Sequence, residues 1–233
     1  MDKKRIKVVR RQATLDDVDA IYKLDQEVWT EFPGTREMFA SRIETFPEGN
    51  FVAEVDGKIV GYLCLELVDL DLNQKSPFTW AEISDHGTIK KSHSYKGNYM
   101  YGISMSISPD FQGKGIGTQL VLSSWSVGVN YNILGVLIGS RVPDYHKYAE
   151  RMSINEYIHL KNGNGQYVDS ELRLWSKDGF KPILVLPHYI NDPSSLHYGV
   201  LVYRRNPFLN WPLRRIIAYV MSNLGPKIIR SKF

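Results

Sequence analysis

Three glycines at alternate positions, Gly113, Gly115 and Gly117, lie in the stretch Phe111-Gln-Gly-Lys-Gly-Ile-Gly-Thr118. Glycines at this spacing let backbone amides approach a ligand without a Cβ in the way. Successive amides of such a turn form an anion-binding nest, and a helix that begins there adds positive potential. The spacing matches neither GxxxxGK[ST] nor GxGxxG, the two familiar phosphate motifs. From the glycines alone, a phosphate or pyrophosphate site and a tight structural turn both stay open.

The segments around these glycines predict the elements that would hold the turn in place. Residues 99–109 have the pattern of a strand, and Gln119–Val127 has the pattern of a helix. Asp56-Gly57 separates two apolar runs and therefore predicts a hairpin over Phe51–Leu67. Thr14 is a suitable N-cap for a first helix, which follows a short strand over Ile6–Arg10.

The rest of the chain alternates between helical and strand patterns. The other predicted elements are helices over Arg36–Thr45, Ser153–Leu160 and Ser170–Lys177, and strands near Trp80–Ile83 and over Tyr131–Ser140, Phe180–Leu186 and Leu196–Arg204. This order predicts one α/β domain with a mixed central β-sheet flanked by helices, covering residues 1–205, followed by an extension over residues 206–233.

Composition limits the class of protein. The chain has 233 residues, of which 43% are apolar, so it can bury a sizeable core. Cys64 is the only cysteine, which favours a reducing compartment. The first residues, Met1-Asp-Lys-Lys-Arg-Ile6, lack the apolar segment of a signal peptide, and no window approaches the roughly 18 to 20 apolar residues of a membrane span. We therefore expect a cytoplasmic protein.

The longer stretch Ser108-Pro-Asp-Phe-Gln-Gly-Lys-Gly-Ile-Gly117, between a strand and a helix, closely resembles the acyl-CoA-binding motif of the GNAT superfamily of N-acyltransferases. That motif runs Q/R-x-x-G-x-G/A, matched here by Gln112, Gly115 and Gly117, and the resemblance extends over about residues 6–204. It implies acetyl-CoA as co-substrate, with its pyrophosphate held by the backbone of Gln112, Gly113, Lys114, Gly115, Ile116 and Gly117. It also implies that main-chain groups from Met105 to Ile107 meet the pantetheine arm.

A closer resemblance is carried by Thr79-Trp-Ala-Glu-Ile-Ser-Asp-His-Gly87 and by Arg141-Val-Pro-Asp-Tyr-His-Lys-Tyr-Ala149. Together with Met152, Tyr157, Asp169 and the Gly179-Phe180 pair, these look like the GNAT domains found fused to nitrilase-type carbon–nitrogen hydrolases. The chain has no hydrolase portion, so we expect a free-standing version. The inserted segment 141–166 is expected to form a wall of the acceptor site.

The catalytic groups are harder to assign. Many GNAT enzymes use a tyrosine four residues before the Gly of Gly-Phe as the acid for the leaving thiolate, and here that residue is Trp175. The candidate substitutes are Tyr145, His146, Tyr148, His188 and Tyr189, and the candidates for base work are Glu82, Asp85 and His93. Of these, Glu82, Tyr145, His146 and His188 are the preferred catalytic candidates. No cluster has metal-ligand spacing, so no metal is expected, and Cys64 fits a core position better than a nucleophile.

Three functions stay open at this stage. The first is acetyl transfer to a primary amine of a small molecule or protein. The second is decarboxylation of malonyl-CoA, which follows from a resemblance to GNAT-like domains of polyketide loading modules. In this chain His188 and Ser153 would act on the thioester, and Arg204 would bind the carboxylate. The third is a non-catalytic acyl-CoA-binding module.

The C-terminal extension is basic and amphipathic. Seven cations and no acidic residue follow Asp192, at Arg204, Arg205, Arg214, Arg215, Lys227, Arg230 and Lys232. They exceed the formal net charge of +4, so the rest of the chain is slightly acidic and does not suit nucleic acid. Pro212 and Gly225 bracket a predicted helix with one apolar stripe. We expect this helix to pack on its own domain or on a second copy of the chain, in preference to a membrane surface.

Overall fold

The computed structural model describes residues 7–31 and 33–224. Its centre is a seven-stranded mixed sheet with the order β1-β2-β3-β4-β5-β7-β6. Neighbouring strands are antiparallel except β4 and β5, which run parallel. The strands are β1 Val9–Gln12, β2 Asn50–Val55, β3 Lys58–Val68, β4 Tyr99–Ile107, β5 Gly135–Arg141, β6 Lys181–Leu186 and β7 Gly199–Arg205. The predicted α/β class with a mixed sheet is confirmed.

Helices cover both faces of this sheet. They are α1 Val18–Val28, α2 Arg36–Thr45, α3 Trp80–Ile83, α4 Ile116–Tyr131, α5 Ile154–Tyr157, α6 Ser170–Lys177 and α7 Arg214–Leu224. The predicted hairpin joins β2 to β3, and its turn residues Asp56 and Gly57 both have positive φ. In the described ranges, every helix is too short or too polar to cross a membrane.

Strands β4 and β5 separate part of the way along their length. They pair over Tyr99–Gly102 and Gly135–Ile138, after which Gly139–Arg141 continues against β7. The β3–β4 register shifts between Cys64 and Leu65, so Ile103 is an extra residue on β4. The result is a V-shaped gap between the two parallel strands, open beyond Gly102.

Side chains along each strand alternate between two faces of the sheet, and the structure shows which helices cover each face. On one face Tyr62 packs edge-on against Phe39 of α2, and the cross-strand register puts Tyr101 and Leu137 on this face as well. On the other face the guanidinium of Arg204 in β7 lies 5.0 Å from the ring of Trp125 in α4. We call these the α1/α2 face and the α4 face.

The predicted strand near Trp80–Ile83 is wrong, because this segment is the short helix α3. Thr79 and Glu82 form a capping box: the hydroxyl of Thr79 accepts from the Glu82 amide, and the Glu82 carboxylate accepts from the Thr79 amide. The pattern Thr-x-x-Glu is a helix-start signal that outweighs the β-preference of the aromatic residue between them.

The other differences are shifts of element ends. The predicted strand over Tyr131–Ser140 begins at Gly135, because α4 runs through Tyr131 and is capped by Asn132 with a φ of 57°. Strand β7 begins at Gly199 because Leu196 and His197 have positive φ after a 3₁₀ turn over Pro193–Ser195. In the inserted segment, α5 is shorter than the predicted helix and has Ser153 as its N-cap.

The predicted C-terminal helix is present as α7, and it packs on α4 through Ala218 and Met221, which are both buried. Residue Ile6 of the predicted first strand, the predicted cap Gly225 and the tail 226–233 lie outside the described residues. The division at residue 205 stays a prediction.

Candidate functional site

The glycine turn connects the open end of β4 to α4. A 3₁₀ turn over Pro109–Phe111 leads into it, and Gly113 and Gly115 adopt φ values of 70° and 78°. Gly115 is the N-cap of α4, so the first amides of that helix have no acceptor within the helix. These amides and the helix dipole together favour a bound anion.

Side chains around the turn hold its shape and leave its outer side open. The Gln112 amide donates to the Ile107 carbonyl at 3.1 Å, and the Lys114 ammonium donates to the Asp110 carbonyl at 2.5 Å. The Lys114 charge therefore folds back over the turn. A Cβ at Gly117 would lie 3.4 Å from the Met105 sulfur, so Gly117 packs closely on β4.

This geometry fits the expected coenzyme. A Cβ built at Gly113 or Gly115 would meet nothing within 4 Å, so the turn has open space beside both glycines. The β4 backbone from Ile103 to Ile107 turns away from β5 and leads from the apex of the gap to the turn. The turn would hold a pyrophosphate, and this strand edge would offer peptide groups to an extended arm.

At the apex of the gap, two buried tyrosine hydroxyls meet. The hydroxyls of Tyr101 in β4 and Tyr189, which follows β6, are 2.7 Å apart. A Cβ at Gly139 of β5 would lie 2.0 Å from the Tyr189 oxygen, so glycine is required there. Burial raises the pKa of both phenols, which keeps them protonated at neutral pH. The pair can donate a hydrogen bond into the gap.

Helix α3 connects β4, next to the apex of the gap, to the segment that follows β6. The Trp80 indole donates to the carbonyl of Ile103, the extra residue on β4, at 3.1 Å. The Trp80 amide donates to the carbonyl of Tyr189 at 2.8 Å. Trp80 thus ties β4 to the segment that carries the Tyr189 hydroxyl.

The mouth of the gap on the α1/α2 face is lined by Trp29 and Arg141. The Trp29 indole donates to Ser106 of β4 at 3.1 Å, and the Ser106 hydroxyl donates to buried Asp25 at 2.8 Å. The Arg141 guanidinium lies 5.3 Å from the Trp29 ring and forms an ion pair with Glu171 at 2.7 Å. Aromatic and charged groups therefore surround the entrance.

The four preferred catalytic candidates lie on elements around this face. Glu82 is exposed, and its carboxylate accepts from the amide and hydroxyl of Thr79. Tyr145 is buried and donates to the Met152 carbonyl, whereas His146 is exposed and its Nδ1 lies 3.0 Å from the Ser194 carbonyl. His188 is exposed with a φ of 52°.

The connection between β6 and β7 is the common neighbour of these elements. It carries His188 and touches α3 through the Trp80–Tyr189 hydrogen bond. It touches the turn at residues 145–147 through His146 and Ser194. The structure therefore brings the elements of the four candidates to one rim, without bonding their side chains to one another.

The segment proposed for base work lies next to a buried carboxylate. Asp85 accepts from the hydroxyl of Thr88, and His93 Nδ1 accepts from the amide of Leu67. The sequence pattern did not point to Glu66, a buried carboxylate on β3 paired across the strands with Tyr101. Burial raises the pKa of Glu66 to about 8. One carboxylate oxygen accepts from Ser92 at 2.7 Å, and the other has no hydrogen-bond partner among the described residues.

The residue at the usual tyrosine position supplies no acid. Trp175 packs edge-on against Phe180, with ring centres 5.8 Å apart. The residues proposed for decarboxylation are not gathered either. Arg204 points to the α4 face beside Trp125, and the Ser153 hydroxyl caps α5 by bonding to Glu156. In the part of the chain that the structure describes, no three His, Cys, Asp or Glu side chains are placed to hold a metal ion.

Comparison with known proteins agrees with this geometry. Residues 18–124 match the acetyltransferase (GNAT) family model. The "Uncharacterized N-acetyltransferase YkwB" of Bacillus subtilis is 32% identical over 85% of this chain and 88% of its own length. The "Probable hydrolase YhcX" of the same organism is 33% identical over 84% of this chain but 38% of its own length, as expected for a domain that also occurs joined to a hydrolase.

Solved structures give the same fold. The loading GNATL domain of CurA from Lyngbya majuscula has a TM-score of 0.76 and 25% identity, covering 86% of this chain and 98% of that domain. The PaiA N-acetyltransferase of Thermoplasma acidophilum, solved in complex with coenzyme A, has a TM-score of 0.50 and 12% identity, covering 86% and 99%. The resemblance stated on the glycine motif is therefore confirmed.

Proposed function

The chain belongs to the acetyltransferase (GNAT) family, and we propose that it transfers an acetyl group from acetyl-CoA to a primary amine of a small molecule or protein. The observation that carries the proposal is the open glycine turn at Gln112–Gly117, placed at the end of a strand edge that leads into the gap. The reaction is assigned to the cytoplasm on the strength of the single, buried Cys64.

Binding comes first in this mechanism. The amides of the turn and of the first residues of α4 hold the pyrophosphate, and the β4 edge from Met105 to Ile107 pairs with the pantetheine arm. The thioester then lies in the gap, near the apex where the strands separate.

The amine enters from the α1/α2 face, between Trp29 and Trp80, and attacks the thioester carbonyl carbon. A C–N bond forms, the C–S bond breaks, and the departing thiolate takes a proton.

We assign the stabilisation of the thiolate to the Tyr189 hydroxyl, supported by Tyr101. This assignment replaces the tyrosine missing at Trp175. Tyr189 was among the substitutes indicated by the sequence, and it is the one whose hydroxyl reaches the apex of the gap. A protonated phenol in a water-poor site can donate to developing negative charge at no cost in reorganisation. Glu82, Tyr145, His146 and His188 stay candidates on the rim, where the proton of the ammonium would leave.

Two measurements test the proposal. In calorimetry, acetyl-CoA and desulfo-CoA should bind, because the turn recognises the part of the molecule that they share. In a thiol-release assay, coenzyme A should appear only when a primary amine is added, with a panel that includes small amines and peptides.

Other outcomes would choose between the alternatives. Carbon dioxide release from malonyl-CoA without an amine would replace transfer with decarboxylation. Binding without turnover on the whole panel would favour a non-catalytic acyl-CoA module. If no acyl-CoA binds, the glycine turn is structural and the proposal is wrong.

A further inference from the structure

Helix α7 and the turn before it present large apolar side chains to solvent. Trp211, Leu213, Ile216 and Tyr219 are 47%, 57%, 60% and 70% exposed. The single apolar stripe expected from the sequence is therefore divided: Met221 is buried beside Ala218, which was not part of the stripe, while Leu213 and Ile216 are exposed. We call these four exposed residues the outer face of α7.

The charged side chains of α7 have one sign, because both are arginines, and Arg215 is exposed. In the sequence, no acidic residue follows Asp192, and the last residues add Lys227, Arg230 and Lys232. A partner of this face must therefore accept apolar side chains and several cations at the same time.

We propose that the outer face of α7 docks on an anionic lipid surface. Aromatic and aliphatic side chains on a helix enter the boundary between headgroups and acyl chains, and flanking arginines interact with anionic headgroups. A second copy is the weaker occupant. A two-fold dimer would place the same face, with the same cations and no acids, against itself. Nucleic acid would match the cations but not the four exposed apolar side chains.

The position of the outer face is compatible with a working site. Asn210, just before α7, exchanges hydrogen bonds with Asn132 at the C-terminal end of α4, at 2.9 and 2.8 Å. The glycine turn lies at the other end of α4, a helix of 16 residues and hence about 24 Å long. The start of the outer face, next to Asn210, therefore lies at the end of α4 away from the turn, and the test of lipid docking does not depend on the proposed reaction.

The test is co-sedimentation of the full chain with vesicles of phosphatidylcholine alone or with phosphatidylserine added. The wild-type chain should bind the anionic vesicles and should not bind the neutral ones. A Leu213→Ser/Ile216→Ser double variant and an Arg215→Glu variant should each bind roughly tenfold more weakly. Added salt should weaken binding by the wild-type chain, because it screens the cations.

Matched controls use residues of the same kind elsewhere on the surface. Leu174→Ser/Ile183→Ser removes two other exposed aliphatic side chains, and Lys181→Glu reverses another exposed cation. Both controls should bind like the wild-type chain. Equal binding by the α7 variants, or no binding by the wild-type chain, would overturn the proposal. So would a doubled mass in light scattering that the Leu213→Ser/Ile216→Ser variant abolishes, since a second copy would then cover the face.

Discussion

The proposed cofactor side of the gap comes from one continuous stretch of chain, whereas the proposed acceptor side is assembled from several distant segments. Residues 105–118 supply the end of β4, the glycine turn and the start of α4. On the acceptor side, Trp29, Trp80, Tyr101, Arg141 and Tyr189 come from five separate segments. The first side uses backbone amides, and the second uses side chains whose positions depend on tertiary packing. This difference predicts that damage to the turn abolishes binding, while damage to the acceptor side lowers turnover.

The largest expected effect is a loss of coenzyme A binding when glycines of the turn are replaced. Gly115→Glu and Gly117→Glu should each weaken coenzyme A binding roughly 1000-fold. Gly115→Glu would place a carboxylate at the proposed pyrophosphate site, and Gly117→Glu would push the turn away from Met105, on which Gly117 packs. Gly165→Glu is a matched control for the first variant, since Gly165 also has a positive φ, at 73°, and open space around its Cβ. Calorimetry with coenzyme A measures the effect. Normal binding by folded Gly115→Glu and Gly117→Glu would mean that the turn does not hold the cofactor.

The same contrast explains what the sequence could and could not predict. The turn is local, so Gln112, Gly115 and Gly117 identify it without knowledge of the fold. The hairpin at Asp56-Gly57 was predictable for the same reason. The Thr79–Glu82 capping box is also local, but the aromatic residue inside it favoured a strand. The Thr-x-x-Glu spacing is itself the signal that predicts α3.

The acceptor side could not be predicted in this way. Tyr101 has the pattern of an ordinary strand residue, and its role follows from meeting Tyr189, which is 88 positions away. Glu66 in a strand gives no sign of burial, because a charged residue at alternate positions usually faces solvent. Its environment depends on how the segment around Ser92 covers β3.

A second prediction concerns the buried carboxylate on the acceptor side. Glu66 has a pKa of about 8 in the folded protein and an unperturbed value of 4.5, so the folded state keeps a proton that the unfolded state has released. Raising the pH through this range therefore favours unfolding. The free energy of unfolding should fall by about 1.4 kcal/mol per pH unit between the two pKa values, and by about 2.3 kcal/mol from pH 6 to pH 8, because the slope halves at the folded pKa.

Glu66→Gln isolates that effect, because glutamine resembles the protonated acid. Chemical denaturation at pH 6 and pH 8 should show the decline in the wild-type chain and its loss in the variant. Glu82→Gln is the control, since Glu82 is an exposed carboxylate whose pKa is lowered by its bonds to Thr79. If Glu66→Gln and the wild-type chain show the same decline, Glu66 does not hold a proton in the fold.

The tyrosine pair gives a third, smaller effect. Tyr189→Phe should lower kcat roughly 30-fold while leaving coenzyme A affinity unchanged, because only the developing thiolate loses its donor. Tyr101→Phe should have a weaker effect, since it supports Tyr189 rather than facing the sulfur. Tyr131→Phe, which removes a hydroxyl bonded to Glu48 outside the gap, should leave kcat unchanged. Equal kcat values in Tyr189→Phe and Tyr131→Phe would show that the apex pair has no part in the chemistry.

The smallest effect, on kcat/KM for the amine, is expected for Trp80, which connects the two sides of the gap. Trp80 donates its indole N–H to the Ile103 carbonyl on β4 and holds Tyr189 through its own backbone amide. Trp80→Phe removes the indole bond and keeps both the amide and an aromatic ring. Loss of one such hydrogen bond costs about 1 kcal/mol, so kcat/KM for the amine should fall about fivefold. Coenzyme A affinity should stay unchanged, since the indole bond is made to Ile103 on β4, outside residues 105–118. Trp211→Phe, on the outer face of α7, is the matched control. A loss of coenzyme A binding in Trp80→Phe would mean that β4 and the turn depend on α3, and the two sides of the gap would then not be independent.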